Sequence, residues 1–448
     1  MQQIDALLHA RWIVPVEPAE TVLEDYSLAI DNGRILDLLP QDQARARYRS
    51  EAVHELSEHA LIPGLINAHG HAPMSLLRGL ADDLPLMEWL NGHIWPAEAN
   101  HVCPEFVQAG TELALAEMLL GGTTCFNDMY FFPEVTARAA AAAGMRASVG
   151  MIVIGFPSAY AASAEEYIDK GLALHDEFHN HPLISTAFAP HAPYTVPEPL
   201  LERVRVLADQ LELPVHIHLH ETAAEVSQSV ADCGQRPLAR LEALGLLSPN
   251  LIGVHMTQLE PQEIEQLARA GAQVVHCPES NLKLASGFCP VQALLEAGVT
   301  VALGTDGAAS NNDLDLFGEM RTAALLAKAV AGDAAALPAH AALRMATLAG
   351  AQTLGLSAVT GSLAIGKYAD ITAVDFGGID GAPMYHPISQ LVYAGNRRQV
   401  SDVWVAGRHL VAQRRLTTLD GERILANTRQ WRAKIARTDT APGENTGR

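Results

Sequence analysis

At 448 residues the chain is longer than one ordinary compact core, so a barrel plus a smaller domain, or several domains, is expected. Its 30 Lys and Arg stand against 51 Asp and Glu, and a net charge of -21 repels phosphate backbones and anionic lipid heads, which excludes nucleic acid and membrane as partners. The five cysteines are scattered without a Cys-x-x-Cys pair, no basic-then-apolar leader opens the sequence, and no apolar run reaches about 18 residues, so the expected location is the reducing cytoplasm.

In chain order, residues 1 to about 62 read as short strands, and "SLAIDNGRILDLL" sets two alternating runs around Asn32-Gly33, a hairpin signal. From about 64 the rhythm becomes apolar strand followed by Ala/Leu-rich helix. Eight strands are read at "LINAHGH", "TTCFND", "RASVGMIVIG", "ISTAFAPH", "PVHIHLHE", "LIGVHM", "QVVHCPES" and "VALGTDG". Between them "FVQAGTELALAEMLL", "PEVTARAAAAAG", "PEPLLERVRVLADQL", "PQEIEQLARAG" and "PVQALLEAG" read as helices, several starting at Pro and stopping at Gly. The alternation predicts an α/β fold, a (β/α)8 TIM-type barrel over residues 63–360. A doubly wound open sheet is the alternative, but no Gly-x-Gly-x-x-Gly follows the first strand. Short strands return in "GSLAIGKYADITAVD" and "SDVWVAGRHLV", so residues 1–62 and 361–415 are expected to form one composite β-sandwich domain. Residues 416–448 are expected to hold a helix, from 421 to 437, and a frayed tail, "TDTAPGENTGR".

Barrel enzymes carry their reactive groups at the C-terminal ends of the strands. Those ends hold His69 and His71 on strand 1, His191 on strand 4, and His216, His218, His220 and Glu221 on strand 5. His255, His276 and Asp306 end strands 6, 7 and 8. Polar side chains in a barrel mouth are costly unless paired or bound to metal. His69 and His71, two apart on a strand, face the same side, and strands 5 and 8 can add a third imidazole and a carboxylate. His and Asp suit zinc or another divalent transition ion with a position open to water. His216, His218 and His220 share one face, so spacing alone does not choose the strand 5 ligand. Glu221 has the opposite parity and is expected beyond the strand, turned back over the metal. "HETAA" is no His-Glu-x-x-His motif, and no Pro-Cys-x-x-Cys is present. His276 is a candidate for lining the mouth, Trp89 and Trp95 for covering a base, while His9, His54, His59, His175, His179 and His181 read as surface residues.

"PGLINAHGHAPMSLLRG", "HIHLHET", "LGTDGAASNN" and "GSLAIGKYAD" resemble the amidohydrolase superfamily over roughly residues 5 to 415. "WPAE", "PHAPY" and "SNLKLASG" narrow the resemblance to the 5-methylthioadenosine/S-adenosylhomocysteine deaminases, and triazine hydrolases share much of the pattern. The resemblance implies His218 as the strand 5 ligand beside His69, His71 and Asp306, holding one divalent ion, zinc, per chain. It implies proton transfer by Glu221 and His255, nucleoside binding by Glu98 and His191, and a homo-oligomer. Two-metal relatives carry a bridging Lys at the end of strand 4, where "FAPHAPY" has none. In the implied reaction Asp306 and His255 take the proton of water as it adds to C6 of adenine, and Glu221 protonates N1. Glu98, an acceptor when ionised, bridges the ribose diol. Hydrolysis of a triazine or guanine ring at the same site is the alternative. From Ala147 through Pro190 there is no Arg and one Lys, Lys170, and "GFPSAYAASAEEY" offers Glu165 and Glu166. An apolar 5′ pocket, with Phe156 or Met151 as wall, therefore points to 5′-methylthioadenosine rather than S-adenosylhomocysteine.

Overall fold

A computed structural model describes residues 1–439. Eight strands run parallel in chain order: Leu65–Asn67, Thr123–Asp128, Arg146–Val153, Ile184–Pro190, Val215–Leu219, Leu251–His255, Gln273–His276 and Val301–Leu303. Each pairs with the next. The ring closes where Ala68 N–H donates to Leu303 O at 2.8 Å. Most strands are buried from end to end, the pattern required when helices cover one face and the barrel interior the other. All eight expected strands are present, but the first and last are short. His69, His71 and Asp306 therefore sit in the turns beyond their strands rather than on them.

The expected helices occur at Pro104–Leu120, Pro133–Ala143, Glu198–Leu211, Pro261–Ala270 and Val291–Glu296. Pro in the first turn presets φ where no N–H is needed. Ser163 and Thr222 cap the helices Ala164–Phe178 and Ala223–Cys233 by accepting from Glu166 N–H and Glu225 N–H. Among the described residues no helix is long and apolar enough to cross a membrane.

The two chain ends meet in a second, mixed sheet of eight strands. Its seam is the antiparallel pairing of Ala52–Pro63 with Ile371–Asp375. On one side lie Ala6–Ile13, Leu23–Asp31 and Arg34–Pro40; on the other, Val400–Val405, Arg408–Ala412 and Arg415–Leu416. The hairpin at Asn32 and Gly33 has φ of 51° and 72°, the left-handed pair of a type I′ turn. Leu8, Leu28, Ile30, Leu61, Ile371 and Trp404 form a separate core for this sheet. His9, on the opposite face of its strand from Leu8, is 2% exposed, with Nδ1 2.6 Å from Ser27 Oγ, and is not the surface residue expected. The sequence around it alternates, and His9 takes a buried position where Ser27 partners its Nδ1. The helix Gly421–Asp439 is present; residues 440–448, most of the tail expected to fray, lie outside the described residues.

The sheet is tied to the barrel at the strand starts. Arg146, opening the third barrel strand, donates Nε to Asp370 Oδ2 at 3.0 Å, with their side chains 3% and 0% exposed. Asp370 also accepts from Ala406 N–H at 2.6 Å, so one carboxylate joins three segments. Asp370→Ala, which strands a buried guanidinium, is expected to cost about 3–5 kcal/mol in chemical denaturation. The double change Arg146→Met with Asp370→Leu is expected to recover most of it. A loss below about 1 kcal/mol for the single change, the range of an exposed pair, would show that the ion pair does not secure this junction.

Candidate active site

His69, His71, His218 and Asp306 each offer one atom to a common space in which all four atoms lie within 4.8 Å of one another. His218 Nε2 is 3.2 Å from His69 Nε2, and Asp306 Oδ1 is 3.4 and 3.1 Å from the Nε2 atoms of His69 and His71. A tetrahedral ion with ligands at about 2.0–2.1 Å has edges of about 3.3 Å, and these three separations match such an edge. The far nitrogen of every ring is held. His71 Nδ1 donates to Met129 O at 2.6 Å and His218 Nδ1 to His191 O at 2.8 Å. His69 Nδ1 meets His216 Nε2 at 2.9 Å. Those bonds place each Nε2 lone pair toward the ion, as outer partners of metal-bound imidazoles do. Among the described residues this is the one such group.

Close approach makes the cage possible. At Gly304, just past the eighth strand, a Cβ would stand 2.8 Å from His69 Cβ, so a side chain there would push the first ligand out. Asp306 has φ of 62° and His255 of 75°, left-handed values that are strained for residues with a side chain. Both turn their side chains into the mouth as the strands end.

The electrostatics follow from burial. Burial raises the Asp306 carboxyl, but hydrogen bonds from His69 and His71 outweigh it and hold it well below the usual range. Asp306 Oδ2 also accepts from Ser280 Oγ at 2.6 Å and Ser310 Oγ at 2.9 Å. Burial drives His69 down to about 4 and His191 to about 3, so both rings are neutral, the form that coordinates a metal or offers a lone pair. Glu221 is pushed up by burial and by Asp306, against the pull of His255. Its Oε2 lies 3.9 Å from His255 Nε2, while His255 Nδ1 is fixed on Asn281 Oδ1 at 2.8 Å.

Above the cage opens a cavity of about 660 Å³, floored by His71, His218, Glu221, His255 and Asp306 and walled mostly by apolar side chains. Trp89, Trp95, Glu98 and His191 line it as well. Burial lifts the Glu98 carboxyl to about 7 against the opposing pull of Tyr130 and His71, and Tyr130 Oη donates to Glu98 Oε1 at 2.6 Å. The strand 5 ambiguity is resolved by depth and by the end of the strand. His216 lies deeper and backs His69, whereas His220, at φ of 53° beyond the strand, turns outward to accept from Leu238 N–H at 3.0 Å. That turn also carries Glu221 into the cavity.

Three expectations are corrected. His276 is buried but is not among the cavity's lining residues. Met151 sits in the barrel core, leaving Phe156 as the wall. Glu165 and Glu166 do not line the cavity; they pair with Arg203 and Lys170 on the helical layer. Sequence reasoning missed Tyr130, Asn281, Ser280 and Ser310 as supports. Only the last three had a signal, in that two lie in "SNLKLASG" and one in "LGTDGAASNN".

The amidohydrolase family pattern matches residues 60–410. The chain belongs to the amidohydrolase family. It is 54% identical over 432 residues to a 5-methylthioadenosine/S-adenosylhomocysteine deaminase of Teredinibacter turnerae, covering 96% of this chain and 98% of the relative. Among solved structures it is similar to an adenosine deaminase from Xanthomonas campestris with bound zinc, at 56% identity and a TM-score of 0.97, covering 97% of this chain and 99% of that one. A triazine hydrolase variant matches at 27% identity and a TM-score of 0.89, covering 95% and 99%. Elemental analysis of the purified protein is expected to find one equivalent of divalent transition metal per chain, and His69→Ala to lose it. Two equivalents, or full retention in His69→Ala, would overturn the four-atom cage as the metal site.

Proposed function

We propose that the chain is a zinc-dependent aminohydrolase that removes the C6 amino group of an adenine nucleoside, 5′-methylthioadenosine before adenosine or S-adenosylhomocysteine. The observation that carries this reading is a single cavity in which Glu98 faces in from the wall above a floor of cage, Glu221 and His255. Its volume falls within the range of small-molecule sites. The names of the relatives at 54% and 56% identity support the same chemistry. In this reading residues 63–360 are the catalytic unit and residues 1–62 with 361–415 its buttress. The reading includes a cytoplasmic homo-oligomer, and five free cysteines support the reducing compartment.

His69, His71, His218 and Asp306 hold the zinc. When bound, zinc lowers the pKa of a water to about 7, making the nucleophile available at neutral pH. Asp306, steadied by Ser280 and Ser310, and His255, steadied by Asn281, take the proton that water releases as it adds to C6. Electron density then moves to N1. Burial raises the Glu221 carboxyl and so favours its acid form, the form that gives a proton to N1. The proton taken from water passes to the C6 amino group, which leaves as ammonia, and the C6 hydroxyl gives its proton to Glu221 as the carbonyl forms. His191 contacts the base, and Glu98 accepts from the ribose hydroxyls. A bare triazine or guanine ring offers no diol, so Glu98 favours the nucleoside over that alternative.

Glu221→Gln is expected to keep its metal and lose about 10²–10⁴-fold in kcat, the usual contribution of a general acid. Full metal content with near-normal kcat would assign Glu221 another role.

Phe156, Pro157, Ser158 and Ala159 line the cavity and are assigned here to the 5′ end, and no Arg or Lys lines it among the described residues. S-adenosylhomocysteine thus forgoes charge-assisted hydrogen bonds to its carboxylate, each about 1.5–3 kcal/mol, where about 1.4 kcal/mol is tenfold. Side-by-side kcat/KM values are expected to favour 5′-methylthioadenosine by about an order of magnitude or more. Parity, or preference for S-adenosylhomocysteine, would overturn this assignment of the 5′ pocket. Turnover of triazines or guanine in preference to both would overturn the nucleoside reading.

A further inference from the structure

Glu98 does not stand on the barrel. It lies on the short helix Trp95–His101, which follows a π turn at Leu90–Ile94 and an even shorter helix, Leu86–Trp89. Elements of four to seven residues have little stability of their own, so this segment takes its position from what it packs against. Its inner side lines the cavity through Leu86, Trp89, Ile94 and Trp95.

Behind it stands the C-terminal helix Gly421–Asp439, beyond the 60–410 span of the family match. Trp431 and Ile435, 8% and 5% exposed, share one apolar cluster with Trp89, Ile94, Val102 and Phe106. Trp431 meets Phe106 edge-on, with ring centroids 5.4 Å apart at 89°. Lys434 Nζ lies 4.2 Å from the centre of the Trp431 ring. Nearer its start, the same helix is pinned to Pro104–Leu120 by Arg423, 2.9 Å from Glu112. Tyr130 belongs to that cluster too and holds the Glu98 carboxylate directly.

We propose that Trp431 is a positioning residue for substrate: through the cluster behind Trp95–His101, the C-terminal helix sets where the Glu98 carboxylate meets the ribose. The inference rests on the reading of Glu98 as the ribose acceptor. A bridging carboxylate must meet two hydroxyls at hydrogen-bond distance, and its helix has no strand beneath it to impose that spacing. The groups that carry out the chemistry stand on the strand ends, and none belongs to this cluster. Loosening the cluster therefore reaches ribose binding while leaving the chemical step in place.

The test uses full-length Trp431→Ala and Trp431→Phe, each assayed with 5′-methylthioadenosine and with 2′,3′-dideoxyadenosine, which lacks the diol. Trp431→Ala is expected to raise KM for the ribonucleoside about tenfold, as small misplacements of binding groups do. Its kcat, its metal content and its KM for the dideoxynucleoside are expected to stay as in the parent, and Trp431→Phe to restore most of the ribonucleoside KM. Glu98→Ala and the double variant separate the two ideas. If Glu98→Ala weakens both nucleosides alike, the ribose reading fails. If Glu98→Ala discriminates and Trp431→Ala does not, the ribose reading stands and the bracing role is wrong. If both act through one carboxylate, Trp431→Ala adds nothing in the Glu98→Ala background. Should Trp431→Ala not fold, Trp431→Phe and Ile435→Ala carry the same comparison, and an equal loss on both substrates overturns the inference.

Discussion

Three imidazole nitrogens and a carboxylate oxygen, drawn within 4.8 Å of one another and almost wholly out of water, are the constraint on which this molecule is built. Polar groups so buried are costly unless something satisfies them, and a cation does so for all four together. The surrounding structure serves that convergence. A glycine lets the eighth strand approach His69, each ring is fixed by its far nitrogen, and Asp306 and His255 adopt backbone angles that a side chain disfavours. Such strain persists only where the scaffold over-determines it, and here the scaffold is a closed ring of parallel strands.

The two ends of that ring have separate tasks. At the strand starts, away from the mouth, Arg146 grips Asp370, and Thr372 Oγ1 donates to Gly122 O at 2.7 Å just ahead of the second strand. These contacts join the barrel to the composite sheet at the end opposite the mouth. At the strand ends the loops hold the chemistry, the usual division in barrels of this kind. The floor of the cavity therefore stands on the closed ring of strands. Its wall around Glu98 is a run of short helical turns, steadied from behind by a helix contributed from the far end of the chain.

Much of the architecture was legible because it is written in local patterns. Apolar runs bounded by Pro and Gly marked eight strands and their helices, and Asn32-Gly33 marked the hairpin it forms. Polar residues at the end of each apolar run marked the mouth. Legibility stopped where one side chain's surroundings come from elsewhere in the chain. His9 read as surface because nothing near it in sequence announces Ser27, 18 residues away. Tyr130 read as nothing in particular, since Glu98, which it holds, is 32 residues distant. Glu165 and Glu166 read as part of the pocket because they follow the third strand, but the chain turns into a helix that takes them to the outside.

By itself, then, the sequence determined the element types, the barrel class and the pool of candidate ligands, because strand and helix periods and residue chemistry are properties of short stretches. Spacing left His216, His218 and His220 open, and while the family resemblance implied His218, only the tertiary structure supplies the physical reason. They lie on one run of chain, and the choice depends on depth in a closed ring and on a left-handed turn at His220. It alone joined Arg146 to Asp370 across 224 residues and set Trp431 behind the segment that carries Glu98. Contacts of that separation depend on how the whole chain closes, and no local period encodes them.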